Sequence, residues 1–113
     1  MTTTPTQYRQ GDVLLVRVAA MPDTARPVAE DPRGVVLAEG EATGHHHRIG
    51  PAYRTAKLYA HDEGTFLRVT GGASSPVVLL THEEHEPIAI PPGDYRVIRQ
   101  MEYAPDAVRR VED

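Results

Sequence analysis

Residues 56–70 read AKLYAHDEGTFLRVT and predict two strands joined by a tight turn. The link HDEGTF has Gly64 in a short loop between residues 56–61 and 65–70, which is the usual arrangement of a β-hairpin. Ten prolines and nine glycines divide the rest of the chain into similarly short pieces. Because no segment keeps the apolar period of a helix over three turns, long helices are not expected.

The same pattern predicts an all-β fold for the whole chain. We expect one domain over residues 1–113, a small β-barrel or sandwich of about eight short strands, with a flexible N-terminus at residues 1–7. Residues 104–113 are expected to form a tail or a short helix, because Pro105 suits a first helical turn. The predicted strands cover residues 12–18, 35–39, 47–49, 56–61, 65–70, 76–81, 87–90 and 94–103.

Composition excludes several classes of function. The formal net charge is -4 and the basic residues are scattered, so a nucleic-acid partner is not expected. Cysteine is absent, which excludes disulfides and thiolate metal sites. No apolar run approaches the roughly 20 residues of a membrane span, and the N-terminus lacks the features of a signal peptide. We therefore expect a cytoplasmic protein without a membrane partner, and exposed edge strands favour a homo-oligomer.

A run of three histidines lies in the segment GHHHR, residues 44–48. If this run is extended, side chains alternate between the two faces, so His45 and His47 point one way and His46 points the other. Such a run is compatible either with metal ligands or with a solvated loop. A second histidine cluster favours the ligands.

That second cluster is the segment HEEH, residues 82–85, which directly follows the apolar run PVVLL. A regular strand would place His82 and His85 on opposite faces, whereas a turn or bulge would direct both inward. The spacing is one residue shorter than in the HExxH motif of metalloproteases. We predict His45, His47, His82 and His85 as metal ligands; Glu84 is the alternative ligand or a general base, and whether Glu83 or Glu84 faces the site stays open.

A resemblance to the cupins rests on Gly40, on the H-x-H at His45 and His47, and on the segment IPPGDY, within residues 34–98. It implies a small β-barrel with histidines and a glutamate around a divalent metal. One residue fewer than in cupins separates Gly40 from His45, the segment RIGPAYR lacks the cupin glutamate, and Arg96 stands where a further histidine is expected. The ligand set would then be completed by His82 or His85.

Two other resemblances concern shorter segments. QGDVLLVRV, residues 10–18, resembles the opening barrel strand of co-chaperonin rings, which again implies a barrel. The GHxHR and HEEHxPI segments resemble those of short bacterial and phage proteins without an assigned reaction.

Imidazole and carboxylate donors suit zinc first, with iron, manganese or nickel as alternatives. Three protein ligands would leave a position for water, as in a hydrolase or oxygenase, whereas four histidines would favour a structural metal. The competing hypothesis is a non-enzymatic oligomeric or partner-binding barrel with its histidines at a subunit contact or surface loop. Arg48 is a candidate for holding a small anionic substrate, and His61 is expected outside the site, exposed in a hairpin loop.

Overall fold

The computed structural model describes residues 6–40, 44–50, 53–71, 77–104 and 107–110, the residues beyond 100 by their backbone alone. Within these ranges the chain forms strands and no helix. The strands are β1 (Gln7–Gln10), β2 (Val13–Val18), β3 (Arg26–Pro27), β4 (Val35–Glu39), β5 (His46–Ile49), β6 (Ala56–His61), β7 (Gly64–Val69), β8 (Val78–Thr81), β9 (Ile88–Ile90), β10 (Gly93–Arg99), β11 (Met101–Ala104) and β12 (Ala107–Arg110).

Two antiparallel sheets form the sandwich, and β11 and β12 form a further two-stranded sheet. A six-stranded sheet has the order β1-β2-β10-β7-β6-β3, and a four-stranded sheet has the order β4-β5-β8-β9. The sheets adjoin where β1 meets β9 and where β4 meets β6, without ladder hydrogen bonds at either place in the described residues. Of the two predicted architectures, the structure therefore has the sandwich and not the closed barrel.

The core lies between the sheets because apolar residues alternate along each strand. Val13 and Leu15 of β2 face inward from the larger sheet, and Val78 and Leu80 of β8 face inward from the smaller one; all four are fully buried. Both sets belong to one hydrophobic cluster. Tyr95 also lies in it, and its hydroxyl donates to the carbonyl of Pro91, which satisfies the buried polar group.

The β1–β2 hairpin carries a polar residue into this interior. Its turn consists of Gly11 and Asp12, because Gln10 pairs with Val13. Gly11 has φ 56°, a left-handed conformation that glycine adopts at no steric cost at the first position of a tight turn. Asp12 is 1% exposed. The turn thus delivers a carboxylate to the end of the sandwich where the histidines lie.

The hairpin at residues 56–70 is confirmed, with Gly64 pairing with His61 as the first residue of β7. The C-terminal helical turn is wrong for residues 107–110, which form β12 and pair with β11. Strand pairing satisfies backbone groups that a single helical turn leaves open. The predicted strand 94–103 is divided at Gln100, and the expected flexible N-terminus is partly ordered, since β1 begins at Gln7.

Residues 19–34 connect β2 to β4; they are largely exposed and contain β3, which pairs with β6. No helix in the described part of the chain is long and apolar enough to span a membrane.

Candidate metal centre

The two histidine segments meet because β5 and β8 are antiparallel neighbours, with Arg48 paired to Thr81. The start of β5 therefore lies beside the end of β8. The ring of His82 is central: its centroid lies 5.5 Å from that of His45, 4.3 Å from that of His47 and 4.8 Å from that of His85. All four predicted ligand histidines are brought together at one end of the sandwich.

The part of this group nearer to solvent consists of His45, His82, Glu83 and Glu84, here called the outer cluster. His45, His82 and Glu83 each offer one potential ligand atom, and these three atoms lie within 4.8 Å of one another. Nδ1 of His45 lies 3.0 Å from Oε1 of Glu84. An ionised carboxylate only accepts hydrogen bonds, so this contact favours the tautomer of His45 that carries its proton on Nδ1.

Glu83 is held as a carboxylate by its neighbours. The backbone N–H of His46 donates to Glu83 Oε1 over 2.9 Å. This hydrogen bond lowers the pKa of Glu83 below its usual value, against the smaller opposing effect of burial. Glu83 therefore offers a charged oxygen atom to a metal near neutral pH, and it need not lose a proton when the metal binds.

The His82 ring is oriented by the turn that follows it. Its Nδ1 accepts the backbone N–H of Glu84 over 3.0 Å, and the residue is 8% exposed. Because a backbone N–H only donates, the lone pair of neutral His82 lies on Nδ1 and the proton on Nε2. A metal bound at either nitrogen would require the Glu84 amide to move away from Nδ1.

The buried side of the group consists of Gln10, Asp12, His47 and Arg99, here called the inner network. His47 is fully buried, with Nδ1 2.8 Å from Gln10 Oε1 and Nε2 3.1 Å from Asp12 Oδ1. The other carboxylate oxygen of Asp12 accepts from Arg99 Nε over 2.7 Å. The carboxyl group of Asp12 is therefore held between the His47 ring and the Arg99 guanidinium.

The amide of Gln10 orients the ring of His47. Gln10 Nε2 donates to the carbonyls of Leu80 and Glu86, each over 2.9 Å, so its Oε1 faces His47 and accepts from Nδ1. His47 Nε2 faces the Asp12 carboxyl group. Both ring nitrogens are therefore engaged in hydrogen bonds, and metal binding by His47 would require one of these bonds to break.

Two ring nitrogens at the site are buried without a hydrogen-bond partner among the described residues: Nε2 of His85 and Nε2 of His46. A buried polar nitrogen without a hydrogen bond is unfavourable by about 1–3 kcal/mol, so both nitrogens are candidates for contact with a ligand, an ion or a water. His85 stacks at 5.9 Å on His47. His46 begins β5, and its Nδ1 lies 3.4 Å from Glu83 Oε2. Although the burial pattern alternates as expected along β5, the His46 ring still reaches the outer cluster.

Arg48 and His61, two other residues singled out from the sequence, lie outside this group. Arg48 is on the face of β5 opposite to His47, and its Nη1 donates to the carbonyl of Arg33 at 3.5 Å. His61 lies 2.8 Å from the hydroxyl of Thr24 and packs edge-on against Phe66. Its side chain is 16% exposed, so the expectation of a solvated ring is wrong, although its place outside the site agrees.

Sequence reasoning missed Gln10, Asp12 and Arg99 as neighbours of the histidines. Asp12 and His47 are 35 positions apart, and Arg99 and Asp12 are 87 apart. The one signal was the adjacent QGD turn, which places two polar residues at the entry to an apolar strand.

Residues 9–100 match a family described as a domain of unknown function (DUF8820). The chain belongs to this family. The matched region contains every residue of the outer cluster and the inner network and ends before β11. No curated protein and no solved structure matches the chain.

Proposed function

We propose that this protein binds one divalent metal ion at the outer cluster, with His45, His82 and Glu83 as protein ligands. The observation that carries the proposal is the proximity of three donor atoms, within 4.8 Å of one another. A tetrahedral ion with bonds of about 2.0–2.1 Å separates its ligand atoms by about 3.3 Å. The three atoms therefore have to approach by no more than roughly 1.5 Å.

Glu84 supports His45 in this proposal. A metal-ligating histidine usually donates its second ring N–H to a carboxylate, which fixes the tautomer and the ring orientation. The contact of His45 Nδ1 with Glu84 has this arrangement. It favours an orienting role for Glu84 over the general-base role predicted from the sequence. The orphaned Nε2 of His85 is the candidate for a fourth protein ligand.

Two histidines and one carboxylate suit zinc, and they equally suit iron, manganese or nickel. With three protein ligands, at least one position is left for water or substrate. Zinc lowers the pKa of such a water and thereby generates a nucleophile for hydrolysis, whereas Fe(II) in this ligand set activates oxygen. If His85 also binds, the shell closes and the metal is structural. The number of protein ligands thus decides between an enzyme and a scaffold.

The alternative of histidines at a subunit contact has less support, because His47 and His82 are buried within the chain itself. Homo-oligomer formation stays a prediction; the exposed Leu79 on the outer side of β8 and the exposed Val77 just before that strand favour it.

Calorimetric titration of untagged, chelator-treated protein with Zn(II) tests the proposal. We expect one ion per chain, and His45→Ala should weaken binding by more than about 100-fold, beyond the 10–100-fold typical of outer-shell changes. His61→Ala is the matched control, because this histidine lies outside the cluster against Thr24. Equal affinity of His45→Ala and His61→Ala, or no saturable binding by the parent protein, would contradict the proposal.

Amide NMR gives a second, structural readout. Zn(II) binding at His82 should shift the Glu84 amide, because its N–H must leave His82 Nδ1. An unchanged Glu84 amide in zinc-saturated protein would exclude His82 as a ligand.

A further inference from the structure

Gln10 is a buried polar residue that connects the two sheets beside the proposed metal centre. Along β1 the side chains of Tyr8 and Gln10 face inward, whereas Gln7 and Arg9 are exposed. Gln10 is 3% exposed and pairs with Val13 across the β1–β2 turn. Its side-chain amide reaches the smaller sheet at the place where β1 adjoins β9.

This amide holds both ends of the turn that carries two of the proposed ligands. The turn joins β8 to β9 and contains His82 and Glu83. Gln10 Nε2 donates one N–H to the carbonyl of Leu80, before the turn, and one to the carbonyl of Glu86, near its end, each over 2.9 Å. Because one nitrogen atom binds both carbonyls, the two ends of the turn are held close together.

The same amide also contacts the segment that carries the third proposed ligand. Gln10 Oε1 lies 2.8 Å from Nδ1 of His47, which follows His45 by two residues. Both N–H groups and the oxygen of the amide are thus engaged, so the amide cannot rotate without breaking a hydrogen bond. One side chain of the larger sheet therefore contacts both segments of the smaller sheet that supply the ligands.

The ligand set depends on how these two segments are placed. The three proposed ligand atoms lie within 4.8 Å of one another and must come closer around an ion. A turn without this anchor would have to be ordered when the ion binds, which lowers the affinity. Outer-shell partners that orient metal ligands usually contribute about 10–100-fold to metal affinity.

We propose that Gln10 is a positioning residue for the metal centre, because its amide holds the turn with His82 and Glu83 next to the segment with His45. This inference rests on the proposed metal binding, and it gives Gln10 no direct bond to the ion. Gln10 acts through the backbone of the turn and through His47.

Calorimetric titration of Gln10→Met with Zn(II) tests the proposal. Methionine is also unbranched but donates no hydrogen bond, so Zn(II) affinity should fall by about 10–100-fold. Gln7→Met is the matched control, because Gln7 is an exposed glutamine of the same strand, and it should bind Zn(II) as the parent protein does. Equal affinity of the two variants would overturn the proposal.

Asp12→Asn separates positioning from a loss of stability. It weakens the contacts of Asp12 with His47 and Arg99 but leaves the bonds of Gln10 to the turn in place. Folded Asp12→Asn should therefore keep most of the Zn(II) affinity. The visible absorption band of bound Co(II) depends on the number and arrangement of its ligands, and it should change in Gln10→Met but not in Asp12→Asn. An equal loss of affinity in both variants, or an unchanged band in Gln10→Met, would contradict a positioning role.

Hydrogen exchange of the metal-free parent protein tests the contacts of Gln10 without a variant. Its side-chain N–H groups should exchange slowly with solvent, because each is engaged in a hydrogen bond to a carbonyl. Rapid exchange of these groups in a protein that does bind zinc would overturn the role of Gln10 alone. Slow exchange in a protein that binds no zinc would instead contradict the metal centre, and this inference with it.

Discussion

His47 in the inner network and His45 in the outer cluster are two residues apart, yet their surroundings differ. His47 is fully buried, and both of its ring nitrogens face acceptors, Gln10 and Asp12. The side chain of His45 is 27% exposed, and its Nδ1 lies against Glu84. A histidine close to other histidines is thus not necessarily a ligand. Binding a metal would cost His47 a hydrogen bond inside the buried inner network, whereas it would cost His82 one part-buried bond from the Glu84 amide.

We infer that the inner network stabilises the fold, and we propose that the outer cluster binds the metal. Asp12→Ala should break the inner network and cost about 3–5 kcal/mol, because it leaves Arg99 and His47 without their shared carboxylate in a buried position. Urea unfolding measures the loss. Asp23→Ala, at an exposed aspartate, is the control and should stay within about 0.5 kcal/mol. A cost below about 1 kcal/mol for Asp12→Ala would contradict a stabilising role for the inner network.

The outer cluster should affect stability only through its metal. At a free Zn(II) concentration 100 times the dissociation constant, the parent protein should gain about 2.7 kcal/mol of unfolding free energy. The same zinc concentration should stabilise His45→Ala by less than about 0.4 kcal/mol, and a chelator should return the parent protein to the metal-free value. Equal stabilisation of both proteins would mean that zinc binds elsewhere.

Glu84→Gln tests whether the Glu84 carboxylate orients His45 for metal binding. The amide can still contact His45 but no longer as a charged acceptor, so Zn(II) affinity should fall by about 10–100-fold with little change in metal-free stability. Calorimetric titration measures the affinity, and Glu86→Gln, at another exposed glutamate of the same turn, is the control. If Glu84→Gln binds zinc as tightly as Glu86→Gln, Glu84 does not orient a ligand.

His46→Ala should have the smallest effect. The substitution removes the 3.4 Å contact from His46 Nδ1 to Glu83, but the backbone N–H that holds Glu83 is kept. Zn(II) affinity should therefore change by about twofold or less, a small fraction of a charge-assisted hydrogen bond. A loss as large as that of His45→Ala would show that the three consecutive histidines converge on the ion.

Local patterns in the sequence predicted much of the fold. The hairpin 56–70 follows from its turn, and the apolar runs around Val13 and Val78 give the inward faces of two strands. The C-terminal strand β12 was missed, because proline followed by charged residues suits a helical turn as well as a hairpin, and the pairing with β11 decides between them. Sandwich and barrel share these local signals, since they differ only in how the sheet edges close.

The residue types of the candidate site were predictable from the sequence. Its separation into an outer cluster and an inner network was not. Strand alternation places His45 and His47 on the same side, and the turn at residues 82–85 brings His82 and His85 towards them. Alternation does not show that Gln10 and Asp12, which belong to the other sheet, form hydrogen bonds with the ring nitrogens of His47. Contacts between distant segments depend on how the two sheets pack, which no local pattern contains.

Anomalous diffraction at the zinc edge, from crystals of the protein with Zn(II), distinguishes the outer cluster from the inner network as the metal site. We expect one zinc peak per chain, about 2.0–2.2 Å from donor atoms of His45, His82 and Glu83, with His47 still bound to Gln10 and Asp12. A peak ligated by His47, or no peak within bonding distance of His45 and His82, would contradict the proposed metal site.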